Sequence, residues 1–222
     1  MSLEPGQIQR ALLSLIAFVI AVSVHEFGHA VVADRLGDRL PRAQGRVTLS
    51  PLAHIDLLGT IILPLAAALM PGGFPLIAWG KPVQTSPSNY TRMPAKQGHL
   101  LVSLAGPLMN LGLALLVSIV FLALGRSGHL SPTVAAILLR YFLSLNIVLL
   151  FFNLIPVPPL DGAAVLAGFL PGALDFIPRT LQRYGMLLFF VLFLSGALGF
   201  LMRPVYHLID VWADALRGAV VR

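Results

Sequence analysis

The sequence predicts an all-α polytopic membrane protein: a bundle of about five to six transmembrane or re-entrant helices with short membrane-associated β-strands. Three observations carry that prediction. Of the 222 residues, 57% are hydrophobic and only 11% are charged, less than half of the roughly 25% with which a soluble domain covers its surface. The mean hydropathy is +0.87, and the apolar residues gather in runs close to the ~20 residues that a helix needs to cross a bilayer. The formal charge of +6 comes from Lys and Arg placed between those runs, a pattern that orients a chain in a membrane rather than one that builds a phosphate-binding face. An ordinary cytosolic enzyme, a disordered chain and a nucleic-acid binder are excluded on these grounds. There is no cysteine, so neither disulfides nor thiolate metal ligands can form.

The first span runs from Ala11 to Ala33, between Arg10 and Asp34. Its start resembles a signal peptide, but no obvious cleavage site follows and the run continues through polar residues, so it reads as retained. Gly45 to Ser50 alternates Val47 and Leu49 with Arg46 and Thr48, which reads as a strand, and 81–85 as a second. Leu57 to Ala68 is apolar but short, and Leu76 to Trp79 is shorter. A helix at 57–70 would descend about 21 Å and ten extended residues would climb back up to about 33 Å, with Pro71-Gly72-Gly73 as the turn, so the lengths allow 57–80 to be re-entrant, the alternative being a full crossing at 57–70 with a displaced return. Strong spans follow at Leu100–Leu124 and Val134–Ile155, and a fourth at Tyr184–Met202. In the tail, Val205, Leu208, Ile209, Trp212, Leu216 and Ala219 recur at helical spacing opposite Asp210, Asp214 and Arg217. Residues 204–222 therefore read as an amphipathic interfacial helix, or a tail packing on a partner, appended to a membrane domain at 1–203.

The chemistry lies inside the first span. One of only two glutamates in the chain, Glu26, stands in His25-Glu26-Phe27-Gly28-His29. On a helix His25 and His29 project from one face, one turn apart. Two neutral imidazoles so placed can reach one tetrahedral zinc ion, with Glu26 as general base for a water. With 6 His and 2 Glu in 222 residues, a chance match has a probability of roughly 0.2%. A cluster of ionisable groups without a use is costly in a span; the bland alternative is a polar helix-packing cluster. A third ligand must come from another element. The best candidate is Asp161, in Asn153-Leu154-Ile155-Pro156-Val157-Pro158-Pro159-Leu160-Asp161-Gly162, where prolines end a helix and a new one starts; taken alone, Asp161 could equally be a helix N-cap.

With these motifs the chain resembles the site-2 protease family of intramembrane zinc metalloproteases. HEFGH at 25–29 and NLIPVPPLDG at 153–162 carry the likeness, together with GRVTLSPLAHIDLLGT at 45–60, WGKPV at 79–83 and LAGPLMN at 104–110. It covers about Leu12 to Tyr184, in the small branch without an inserted PDZ or CBS domain. The resemblance implies one zinc ion per chain on His25, His29 and Asp161, with Glu26 as the base. It also implies an endopeptidase that hydrolyses peptide bonds within or near the transmembrane segments of membrane proteins. Family members often read NPLAHIDPLGT and KPVPVNP where this chain has SPLAHIDLLGT and KPVQTSP, which leaves the catalytic set intact.

Asp161 must lie at the depth of the histidines. The first span ends beside Arg35, Arg39, Arg42 and Arg46, so that side should be cytoplasmic, in a multi-pass protein of the cell membrane. With 57–80 re-entrant, nine Lys/Arg fall on cytoplasmic loops and six outside. Asn146 and Asn153 share one helix face, and with Asn110 they are candidate substrate-binding groups; helix–helix hydrogen bonds are the alternative. His54 and Asp56, just outside a span, read either as groups supporting the site or simply as interfacial residues. A strand edge at 45–50 could hold an unwound substrate by β-addition. The rival function is a zinc transporter or metal-binding membrane protein, with the same ligands as a transit site and no need for Glu26.

Overall fold

The computed structural model describes residues 5–69 and 78–221. The first span is a helix longer than its apolar run, α1 (Pro5–Leu36), which stops where Gly37 takes φ 113°. A one-turn helix at Leu40–Ala43 follows. Asp56 then opens a short helical arm by accepting from Gly59 N–H at 2.7 Å; the arm begins with a wide π-turn at Leu57–Ile62 and continues as α2 (Leu63–Leu69). The two strong spans become α3 (Ala95–Arg126) and α4 (Pro132–Asn153). Pro132 starts α4 at a position where a missing N–H costs nothing, and Ser131 caps it by accepting from Val134 N–H at 3.2 Å. After the proline-rich turn come α5 (Asp161–Phe169), α6 (Phe176–Leu194) and α7 (Ala197–Val221).

Among the described residues, three helices are long and apolar enough to cross a membrane: Gly6–Leu36, Ala95–Arg126 and Pro132–Asn153. The protein is a helical, multi-pass membrane protein. The expected continuous span at Tyr184–Met202 is replaced by two helices that meet at a 72° bend. Gly196, at φ 76°, turns the chain there, because glycine alone adopts that conformation without steric penalty. The apolar stripe of the tail has a partner within the chain. Met202, Val205, Ile209, Ala213 and Leu216 are buried with Ala114, Val117, Phe121, Leu139, Leu143 and Ile147, so the apolar stripe of α7 packs on α3 and α4.

The expected strands at 45–50 and 81–85 are not formed. Both stretches spend their backbone groups on other partners. In the first, Thr48 C=O accepts from His54 Nε2 at 2.9 Å and Ser50 N–H donates to Thr48 Oγ1 at 3.1 Å. In the second, Lys81 N–H donates to His54 C=O at 2.8 Å and Val83 N–H to Glu26 Oε2 at 2.9 Å, and just beyond it Ser86 N–H donates to Asp38 Oδ2 at 2.7 Å. The turn expected at Pro71-Gly72-Gly73 and the start of the Leu76–Trp79 run lie outside the described residues. The two ends of that excursion nevertheless meet, since Trp79 N–H donates to Gly59 C=O at 3.2 Å and Thr60 Oγ1 to Trp79 C=O at 2.7 Å.

Candidate metal centre

α1 approaches α3 through small residues. Ala17, Ala21, Ala30 and Ala33 are fully buried, and a Cβ on Gly28 would lie 2.7 Å from both Ala105 O and Met109 Cγ. Packing of this kind is what holds helices together where lipid offers no hydrophobic drive. It brings His25 and His29 over Gly106 of α3, where a Cβ would lie 2.7 Å from His25 Cε1 and collide with His29 Nε2. Glycine at 106 is therefore the floor of the site.

Both imidazoles are oriented from behind. His25 Nδ1–H donates to Asn110 Oδ1 at 2.7 Å, and His29 Nδ1–H to Val102 C=O at 2.7 Å. The Asn110 amide is itself fixed: its Nδ2 donates to Ala21 C=O at 3.1 Å and to Asn146 Oδ1 at 2.8 Å. Asn146 Nδ2 in turn donates to Phe142 C=O at 2.8 Å. Each acceptor in this chain determines the group facing it, so both Nδ1 atoms carry hydrogen and both Nε2 atoms present lone pairs.

Those lone pairs converge with a carboxylate oxygen. The Nε2 atoms lie 3.0 Å apart, and Asp161 Oδ2 is 3.1 Å from His25 Nε2 and 3.4 Å from His29 Nε2. Ligands about 2.0–2.1 Å from a tetrahedral zinc stand about 3.3 Å from one another, so the triangle has the size the metal requires. Asp161 Oδ2 is buried without a hydrogen-bond partner, and the two histidines are 7% and 8% exposed. Three buried acceptors facing one another repel unless a cation lies between them. Asp161 does not cap its helix; Leu160 holds that position, with no side-chain bond. His25, His29 and Asp161 are the group among the described residues that could hold a metal ion.

Glu26 stands outside this triangle on the adjacent face of α1, half-buried, with Oε2 accepting from Val83 N–H. The same segment is tied down on either side by Lys81 to His54 and by Ser86 to Asp38. His54 and Asp56 act here: His54 through its backbone carbonyl, Asp56 by capping the arm that returns to Trp79. Asn110 and Asn146 are each 0% exposed with their amides engaged. Their bonds are those of the helix–helix alternative, with Asn110 turned onto His25. Asn153 is half-buried, its Nδ2 donating to Leu149 C=O at 3.0 Å. Sequence spacing did not pair Asn110 with His25 because that contact depends on the register of α1 against α3. Asn110→Leu should lower zinc affinity by roughly 10–100-fold, the usual effect of losing a group behind a ligand, while helix content is kept; competition with a zinc-chelating dye measures it.

The model of peptidase family M50 matches residues 13–196. The chain is 32% identical over 197 residues to a Bacillus subtilis (strain 168) protein carrying the name "Putative zinc metalloprotease YwhC", covering 87% of this chain and 85% of that one. It is 30% identical over 199 residues to Rip2 of Mycobacterium tuberculosis, similarly named, covering 87% and 71%. It is 27% identical over 183 residues to zinc metalloprotease MJ0392 of Methanocaldococcus jannaschii, covering 81% and 40%. No solved structure matches the chain.

Proposed function

The chain belongs to peptidase family M50, and from that premise we propose how a zinc metalloendopeptidase works at this site. The family and its relatives support intramembrane proteolysis and do not favour the zinc transporter. The observation that carries the residue assignment is the convergence of His25 Nε2, His29 Nε2 and Asp161 Oδ2 within 3.4 Å of one another. These residues would hold one zinc ion per chain. Zinc bound there supplies a Lewis acid that polarises the scissile carbonyl and makes water acidic enough to attack at neutral pH.

The chain's own groups do the rest. Glu26 takes the proton from the attacking water on its carboxylate and returns it to the leaving nitrogen. Val83 N–H, bonded to Oε2, holds the carboxylate in place and leaves its other oxygen for that proton. Asn110, Val102 and Asn146 keep the imidazoles turned toward the metal. Asn153, at the end of α4, is offered as a contact for the substrate backbone.

A substrate helix hides its carbonyls in internal hydrogen bonds and must unwind before it is cut. The segment at 79–83 is bonded inward at Trp79, Lys81 and Val83, every second residue, as an extended strand is. Its other edge, with the N–H and C=O of Gly80 and Gln84 and the C=O alone of Pro82, would receive the unwound segment by β-addition beside Glu26. The edge first expected at 45–50 gives way to this one. The catalytic unit would comprise most of 1–203, with 204–222 a buttress on α3 and α4.

The active site is taken to open toward the cytoplasm, the side that Arg35, Arg39, Arg42 and Arg46 follow. The return of Trp79 to Gly59 supports 57–80 as a re-entrant loop on that side. The test is cleavage of single-span membrane proteins by the purified chain in liposomes, with the cut mapped by mass spectrometry. Cuts within or bordering the hydrocarbon-embedded segment are expected. Cuts confined to distant soluble loops would refute an intramembrane endopeptidase.

A further inference from the structure

Far along α1 from the metal centre, a cleft of about 430 Å³ opens between α1, α2 and α4. α1 and α4 share a level at Asn110, which bonds both Ala21 C=O and Asn146, and the cleft lies on the N-terminal side of that level on α1. Ala11 and Ser14 of α1 with Arg140 and Tyr141 of α4 line one end, and Phe18 and Val148 the other. Pro64 and Ala67 of α2 form the third wall. The cleft is thus polar and basic at one end and apolar at the other.

Arg140 is the unexplained group. It lies eight residues into α4, about 12 Å along the helix from Pro132, in the stretch of a spanning helix that the surrounding apolar residues place in the bilayer. It is exposed, and among the described residues it forms no ion pair. A cation at that depth is costly and is kept where it has a partner or reaches the headgroups. α4 is also wound as a π-helix at Ile137–Leu143, around Arg140 and Tyr141, an irregularity common where a helix presents a site. Arg10, exposed and next to Ala11, adds a second guanidinium near the same end.

We propose that this cleft binds one anionic phospholipid of the surrounding bilayer, its phosphodiester on Arg140 and an acyl chain running down past Leu145 to Phe18 and Val148. Charge complementarity selects the phosphate, since a guanidinium presents a planar fork of donors to its oxygens. The apolar continuation selects a lipid over a free anion. The site is independent of zinc and of the residues that hold it.

The test is native mass spectrometry of the full chain purified in detergent and offered dioleoylphosphatidylglycerol, dioleoylphosphatidylcholine or glycerol 3-phosphate, with zinc content as the check on folding. The wild type should retain one phosphatidylglycerol, preferred over phosphatidylcholine by about fivefold, the effect of one well-placed cation near a phosphate surface. Arg140→Gln should remove the preference. Leu145→Trp should reduce retention of both lipids while leaving the cation in place, because it fills the apolar half. Equal retention of the two lipids by wild type, or retention unchanged in both variants, would overturn the proposal. So would displacement of the lipid by glycerol 3-phosphate at comparable concentration, which would make the cleft a site for free anions.

Discussion

Glu26→Gln should abolish peptide cleavage and leave the zinc in place. The substitution keeps the size of the side chain and an oxygen able to accept from Val83 N–H, which lies 2.9 Å from Oε2. It removes the capacity to accept and release a proton. General-base loss costs roughly 10²–10⁴ in rate, so cleavage of a single-span substrate in liposomes should fall by about that factor. Zinc content should stay at one ion per chain, because Glu26 is not among the three converging ligands. Cleavage at the wild-type rate would remove Glu26 from the chemistry.

Asp161→Asn should have the opposite signature. The amide matches the carboxylate in size but not in charge, and in a buried site that charge helps neutralise Zn²⁺. Zinc affinity should fall by at least the roughly 10–100-fold typical of losses one layer further out, and cleavage should fall with it. Asn is nearly as good an N-cap as Asp, so a capping role would make the substitution almost silent. The structure already weighs against that outcome, since Asp161 makes no cap bond and points Oδ2 at His25 and His29.

Much of the site could be read from the residues because its geometry is local. His25 and His29 meet because four residues is one helical turn, and no tertiary information is needed. Asp161 could be chosen because the prolines before it end one helix and force a second to begin. The bond of Asn110 to His25 is not legible in the same way: it spans 85 positions of sequence and follows from the small-residue seam between α1 and α3. Alternation at 45–50 suggested a strand, yet a strand needs a neighbouring backbone, and the partners here are His54 and local turns. Hydropathy across 184–202 is continuous, but it carries no direction, and Gly196 turns the chain by 72° within it. The amphipathic pattern of α7 is equally plain, while the surface that its buried stripe covers, on α3 and α4, depends on the fold.

The zinc K-edge absorption spectrum of the purified chain tests the metal centre most directly. The sequence holds 6 His and no Cys. A nearest shell of nitrogen and oxygen at about 2.0–2.1 Å with the scattering of two imidazoles is expected, reduced to one imidazole, or lost with the metal, in His29→Ala. A spectrum with three or more imidazoles, or one unchanged in His29→Ala and Asp161→Asn alike, would contradict it.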